Sequence, residues 1–436
     1  MDAILRQNQH ERHKKKHKRH KKNKTCSFSS LDDLLCDELL EQILCRVELK
    51  TIYRCKSVCK RWLSTISSPE FIKRYVGFQQ SVTPISSRFY LAFDLQRQGS
   101  RYSSNYRLDI CKEEASSSSS SSFKFDLCPK HPTGRPSSLD LVGAWNGLLL
   151  FREETFSRGD SPRYHVCNPI TMDWLVLPLP PPPRPCRYFP GSYQAAFIDD
   201  DDRSITTTGG VPSGFKVVLI DKQYCHFRYL NVSIFSTSTG EWRRRRAECT
   251  ADFYIDKGGL VCCNRLLYWV AEPMWRIRRM IRYNPYKPSD KCSYIELPIS
   301  GRYKSKPYIG VNQGRIMVCN EAFNQRSHLR IWELQDWTTG SWCLKHNLVL
   351  YSVRLNLPVS DYRILAIHPI DDIVYLEQRE DQTILSLNMK NKSKQEVVAP
   401  SLPEDPEAIL KWRQAFPFFL PWWQTRLPDL NNLKQT

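Results

Sequence analysis

The stretch LDLVGAWNGLLLF, Leu139 to Phe151, ends in an unbroken apolar run behind an Asn-Gly pair, and NPITMDWLVLP follows at residues 168–178. The same succession returns downstream, where NRLLYWV at 264–270 leads to YNPYKPSDKCSYIELP at 283–298. Each copy places an apolar strand, an Asn-Pro turn and a Leu-Pro exit in one order. A second rhyme interleaves with it: IFSTSTGEW at 234–242 matches IWELQDWTTGSW at 331–342, an apolar strand entering a Thr-Gly turn with a Trp opening the next strand. Asn-Pro and Thr-Gly supply the backbone geometry of turns, and Trp174, Trp242 and Trp342 offer large apolar surfaces to fill the space between stacked sheets.

Outward from these copies, short apolar or alternating runs continue at RFYLAFDL, YHVCNP, YQAAFI, FKVVLI, YIGVNQGRIMVC, YRILAIHP, DIVYLEQ and TILSLNM, separated by Gly, Pro, Asn, Asp and Ser. Few segments are long enough for crossover helices, which argues against a parallel α/β sheet. Repeated short β units predict an all-β domain over residues 85–400, most simply a β-propeller of about six to eight units at roughly 40 to 50 residues each. A pair of β-sandwiches is the alternative architecture.

Residues 27–78 follow another rule. Leu39, Ile43 and Val47 stand at i, i+4 and i+8 with Leu40 and Leu44 beside them, the spacing of an amphipathic helix. Ile52, Cys55, Val58, Cys59, Trp62 and Ile66 predict a second helix, and Ser68-Pro69-Glu70 is a start signal for a third that carries Phe71, Ile72 and Tyr75. About 45 residues bury too little surface for much independent stability, so this small all-α module is expected to lean on another surface.

Leu35, Asp37, Glu38, Leu39, Ile43, Leu44, Val47, Leu49, Lys50, Val58, Cys59, Lys60, Arg61 and Trp62, followed by ISSPEFI, resemble the F-box of plant F-box proteins. The resemblance implies docking on a SKP1-like adaptor and, through it, on a cullin complex of the SCF type, with Leu35, Leu39, Leu40, Ile43, Leu44, Val47, Leu49, Val58 and Trp62 as the adaptor surface. Cys36 and Glu48 stand where the family usually has proline. GLLLF, CNP…W…LP, STGEWR and LYW in turn resemble the F-box-associated, kelch-like β-propeller domain that follows many plant F-boxes. That resemblance implies a β domain that recruits a protein substrate, and a chain that is a non-catalytic subunit of a ubiquitin ligase.

The 436 residues carry 64 Lys/Arg against 45 Asp/Glu, a net +19. Ten Lys/Arg and two Asp/Glu fall in residues 1–24, so this tail alone supplies +8. Without apolar periodicity, residues 1–26 are expected to be a disordered basic arm. Its Lys14, Lys15, Lys16, Lys18, Arg19, Lys21 and Lys22 form a nuclear-import-like run, which predicts a nuclear location with the cytoplasm as second compartment. The rest of the excess includes RRRR at 243–246 and RIRRMIR at 276–282, the basis of an alternative reading as a basic nucleic-acid-binding or nuclear scaffold protein.

No apolar stretch approaches the length of a membrane span, and the N-terminus lacks the apolar core of a secretory signal. The 16 Cys are read as free thiols used as small hydrophobes, and no cysteine spacing suggests a zinc site, so neither metal nor cofactor is expected. No GxSxG, HExxH, GxGxxG or GxxxxGK[ST] pattern occurs, and His165, His226 and His368 read as structural. The serines at 116–122 and the prolines at 178–185 read as loops, the latter extended. Residues 401–436 concentrate Trp412, Phe416, Phe418, Phe419, Trp422 and Trp423 and are expected to pack on the β domain or to close its last unit.

Overall fold

The computed structural model describes residues 36–83, 88–97, 108–111, 123–125, 139–153, 161–182, 193–200, 214–221, 227–253, 259–271, 278–287, 291–299, 307–322, 328–349, 362–378, 383–397, 410–423 and 427–429. The chain divides into two compact units, Met1–Gln79 and Gln80–Thr436. The first is helical: α1 (Asp37–Cys45), α2 (Leu49–Cys55), α3 (Lys60–Ser67) and α4 (Pro69–Val82).

The spacing that predicts one helix over Ile52–Ile66 is divided in two. The amide of Val58 turns back to the Cys55 carbonyl, closing α2. Cys59 is then extended (φ −156°, ψ 169°) and its Sγ accepts the Trp62 amide, so helix begins afresh at Lys60. The start signal at Ser68 acts as expected: its Oγ accepts the Phe71 amide at 3.1 Å ahead of Pro69. Leu40, Leu44, Ile52, Ile66, Phe71 and Tyr75 are all at most 2% exposed.

The second unit is all-β. One sheet has the order β24-β1-β2-β3, formed by Leu410–Phe419 (β24), Phe89–Arg97 (β1), Leu108–Cys111 (β2) and Phe123–Phe125 (β3). Leu139–Trp145, Leu148–Glu153, Arg163–Asn168 and Asp173–Val176 (β4 to β7) form the next, in chain order. Tyr193–Asp199, Phe215–Asp221, Phe227–Ser236 and Glu241–Phe253 (β8 to β11) pair in chain order, as do Leu260–Cys263, Leu266–Ala271, Arg279–Tyr283 and Lys291–Glu296 (β12 to β15). These two quartets join through a short parallel contact of β11 with β15 into an eight-stranded sheet. The last two sheets are Tyr308–Asn312, Arg315–Ala322, His328–Asp336 and Ser341–Val349 (β16 to β19), then Tyr362–Ile367, Ile373–Gln378, Ile384–Asn388 and Lys394–Val397 (β20 to β23).

The first strands of these six quartets adjoin in a closed order, β24 beside β4, then β8, β12, β16, β20 and back to β24. A core lies between each neighbouring pair. On β9, Phe215, Val217 and Leu219 pack with Leu148 and Leu150 of β5, while Val218 and Ile220 turn to Leu267, Trp269 and Ala271 of β13. On β13 the intervening Tyr268 and Val270 face Ile316 and Val318 of β17, whose Met317 and Cys319 face Val374 and Leu376 of β21. Successive strand residues point to opposite faces, so a second strand with a core on either side must be apolar throughout. This is the physical reason for the unbroken LLLF, VVLI, LLYWV and IMVC runs.

The two interleaved rhymes prove to be one element: both bridge the third and fourth strands of a quartet. Asn168 Oδ1 accepts the amides of Ile170 and Thr171, Asn284 Oδ1 those of Tyr286 and Lys287, and Asn388 Oδ1 those of Lys390 and Asn391. Asp336 does the same for Thr338 and Thr339 ahead of the Thr-Gly turn. The fourth-strand tryptophans then tie one quartet to the one before it. Trp242 Nε1 donates to the Pro178 carbonyl at 2.8 Å, and Trp342 Nε1 to the Glu296 carbonyl at 3.0 Å, both at Leu-Pro exits.

β24 lies beyond residue 400 and pairs with β1 from Phe89↔Phe419 to Arg97↔Leu410. The reading of every cysteine as a free thiol is corrected: Cys249 of β11 and Cys292 of β15 are register partners, buried, and joined as a disulfide with Cα atoms 5.0 Å apart. The parallel β11–β15 contact brings the two positions together across 43 residues of sequence, a proximity that local spacing does not reveal. The basic arm and the serine run lie outside the described residues.

Candidate functional site

The helical unit carries two apolar stripes on one short helix. Cys36, extended at φ −66°, leads into α1, whose first turn holds Asp37 and Glu38 where carboxylates favour the helix N-terminus. Leu40 and Leu44 are turned inward at 0% and 1% exposure, while Leu39 and Ile43, one helical turn apart, stand 49% and 48% exposed. Val58, at 58%, and Leu63 of α3, at 46%, are exposed as well.

Polar contacts hold these elements around α1. Arg61 at the start of α3 donates to Asp37 Oδ1 through Nη2 at 2.7 Å and Nε at 2.9 Å, bringing the segment that carries Val58 and Leu63 to the start of α1. Arg74 of α4 pairs with Glu41. Tyr75 Oη donates to the Val47 carbonyl at 2.9 Å and Gln79 Nε2 to the Cys45 carbonyl at 2.8 Å, satisfying carbonyls at and just beyond the end of α1. Asp37 is largely exposed, so its ion pair contributes at most about 1 kcal/mol, and its use is positional. Burial pushes the Cys45 thiol up, against the nearby Arg74, so it sits in this core as a neutral hydrophobe.

Against the sequence expectation, Leu39, Ile43 and Val58 are exposed, and Val47, Leu49 and Trp62 are half-buried. Leu40 and Leu44 lie on the inward stripe of α1, which fills the unit's own core. Leu63 was not singled out from the sequence. It and Trp62 flank the buried Ile66 on either side of α3, and spacing does not decide which is turned outward. Leu35 and the lysines and arginine of the basic run lie outside the described residues.

The β unit supplies two basic stretches. In β14, Arg279 lies over the Tyr294 ring and Arg282 over the Trp337 ring, each 4.5 Å from the centroid, so these arginines are stacked on the chain's own aromatics. In β11, Arg243 to Arg246 run along the outer strand of a quartet. His165 Nε2 lies 2.9 Å from Glu153 Oε2, and His368 Nδ1 accepts the amides of Ile370 and Asp371. His226 lies outside the described residues. Among the described residues no group of three or more His, Cys, Asp or Glu is placed to hold a metal ion, and no helix is long and apolar enough to cross a membrane.

Comparison with known proteins bears on both units. The F-box domain model matches residues 33–74, and the family model F-box protein At3g26010-like, beta-propeller matches residues 111–407. The chain is 27% identical over 392 residues to F-box protein At3g26010 of Arabidopsis thaliana, covering 85% of this chain and 81% of that one. It is 26% identical over 385 residues to F-box protein At1g49990 of the same plant, covering 79% of this chain and 83% of the relative. Among solved structures it is similar to TolB from Acinetobacter baumannii, with a TM-score of 0.44 and 10% identity over 81% of this chain and 72% of that one.

Proposed function

The chain belongs to the F-box proteins with an At3g26010-like β-propeller, and from that premise we propose that it is the substrate-recognition subunit of an SCF-type ubiquitin ligase. The observation that carries the proposal is the outward stripe of α1. Leu39 and Ile43 keep nearly half their surface in water on a helix whose other stripe already fills a core. Exposed apolar side chains in this arrangement are stabilised by burial against a partner, at about 25 cal/mol per Å² of area covered. The F-box match spans this helix, which supports a SKP1-like adaptor as the partner, with the cullin reached through it. The contact set we propose is Leu39, Ile43, Val47, Leu49, Val58, Trp62 and Leu63.

The β unit is then a six-bladed propeller, supported by the closed order of first strands and by the core between every neighbouring pair. Its role is to hold a protein substrate beside a ubiquitin-charged partner, so that rate is gained through effective concentration and the chain contributes no acid–base chemistry of its own. The basic arm fits nuclear import. A fluorescent fusion of the full chain, compared with one in which Lys14, Lys15, Lys16, Lys18, Arg19, Lys21 and Lys22 are all changed to Gln, would report it as loss of nuclear enrichment.

Affinity purification of the full chain from plant cells tests the main proposal. The intact chain is expected to recover a SKP1-like adaptor and a cullin, and Leu39→Asp with Ile43→Asp to lose both while staying soluble. Equal recovery by the two forms would overturn it.

A further inference from the structure

The structure assigns a second docking surface, in the β unit: the open outer edge of β11 between Glu241 and Glu248, which we propose accepts an acidic, extended peptide segment as an added strand. The inference rests on the reading of the β unit as a substrate receptor and names the substrate chemistry.

Three observations carry it. The first is backbone. β11 pairs on its inner side with β10 continuously from Glu241 to Glu248, but on its outer side it meets β15 only at Glu248↔Lys291 and Cys249↔Cys292. Among the described residues, no strand covers the outer side of residues 241–247, so amide and carbonyl groups at a two-residue repeat remain available for a further strand.

The second is charge. Arg243, Arg244 and Arg246 are exposed and Arg245 is half-buried. Two of the four are committed to the chain: Arg244 donates to the Pro182 carbonyl at 2.5 Å and lies 3.8 Å from the buried Asp221, and Arg246 lies 3.6 Å over the Tyr229 ring. Arg243 and Arg245 have no carboxylate partner among the described residues. They alternate with the committed pair, so their side chains leave one face of the strand about 6.7 Å apart, the repeat at which every second side chain of an added strand would meet them. Glu241 and Glu248 close the run at either end, which limits the attractive length to the residues between them.

The third observation separates a peptide from single-stranded nucleic acid, the other polyanion the charge would attract. Sequence-tolerant binding of single strands uses open aromatic faces on which bases stack. The exposed aromatic beside the run is Tyr229, and Arg246 already covers a face of it. A charged edge also discourages pairing with other strand edges. That function requires only repulsion of like edges, and it predicts no affinity for an acidic strand.

The test uses the full chain and a fluorescein-labelled peptide of about eight residues alternating Glu with Val, followed by fluorescence polarisation. Three controls are a Lys-for-Glu peptide, an acidic peptide N-methylated at alternate amides, and a single-stranded oligonucleotide. The expected result is binding of the acidic peptide alone, weakening about tenfold from roughly 50 to 300 mM salt and about tenfold in Arg243→Gln/Arg245→Gln, with Arg243→Lys/Arg245→Lys retaining it. An unchanged melting temperature in the Gln variant separates lost binding from lost folding. Undiminished affinity for the N-methylated peptide, no effect of the Gln substitutions, or preference for the oligonucleotide would each overturn the proposal. Adaptor recovery by the Gln variant should be normal, so failure here is distinguishable from failure of the ligase reading, which would show in the Leu39→Asp/Ile43→Asp form.

Discussion

Cys36 and Glu48 depart from the proline that F-boxes usually carry at both places, yet each adopts a backbone that proline would fix. Cys36 has φ −66° and Glu48 φ −61°, both extended in ψ and both ahead of a helix. The departures therefore leave the path of the chain unchanged and surrender only the entropy that a ring would have removed from the unfolded state. Glu48→Pro is expected to raise stability by about 0.4 to 1 kcal/mol, read as a higher urea midpoint at unchanged slope; a lowered midpoint would show that Glu48 makes a contact worth more than the ring. Asp200 is the opposite case, a buried carboxylate that cannot be exchanged cheaply. Burial pushes its carboxyl up, but Lys216 at 2.7 Å, Ser236 Oγ at 2.6 Å and the Ser238 amide at 2.8 Å outweigh it and hold the group below the ordinary range. A folded pKa below the unfolded one stabilises above the unfolded value, near 4, and the benefit is lost as pH falls through the folded value. Asp200→Asn should be less stable than the parent at pH 7 by about 1 to 3 kcal/mol, with the gap closing as pH falls below the ordinary carboxylate range. A gap independent of pH would contradict the assignment.

At the scale of elements, the second strands were the most legible part of the chain, because a strand with a core on both faces cannot hide its apolar content. The Asn-Gly of residues 146–147 announces its hairpin for an equally physical reason: both residues have positive φ, and a Cβ on Gly147 would fall 2.3 Å from Pro421. The split of Ile52–Ile66 was not legible, since Cys59 interrupts the helix without disturbing its apolar spacing. Nor was the inward turn of Leu40 and Leu44, because two stripes on one helix look alike until one of them is packed. The disulfide and the clips between quartets depend on contacts 40 or more residues apart, beyond what a local pattern holds. The clips can be tested singly. Trp342→Phe keeps most of the apolar area and removes the indole bond to Glu296, and should cost about 0.5 to 1.5 kcal/mol in thermal or urea unfolding. A cost near zero would mean that the indole N–H is equally well served by water.

Across the whole β unit the ring of first strands is completed by a strand from the far end of the sequence. β24 pairs along the whole of β1, and its Ala415 and Phe418 lie in the cores on its two sides. The aromatic C-terminal stretch thus has a structural use that its composition only hinted at, and closure is paid in loop entropy that grows slowly with length. A chain ending at residue 409 should lose the cooperative thermal transition and become open to limited proteolysis in its β unit, whereas a transition unchanged from the full chain would show that closure by β24 is dispensable. The proposed function of the helical unit rests on a different feature, a stripe that its own fold leaves exposed. Titration calorimetry of the purified full chain with a SKP1-like adaptor tests that claim most directly. A one-to-one complex is expected, with Leu39→Asp/Ile43→Asp weakening it at least about a hundredfold at an unchanged melting temperature, as befits burying two apolar contacts at a hot spot. Equal affinity of the parent and the double variant would contradict it.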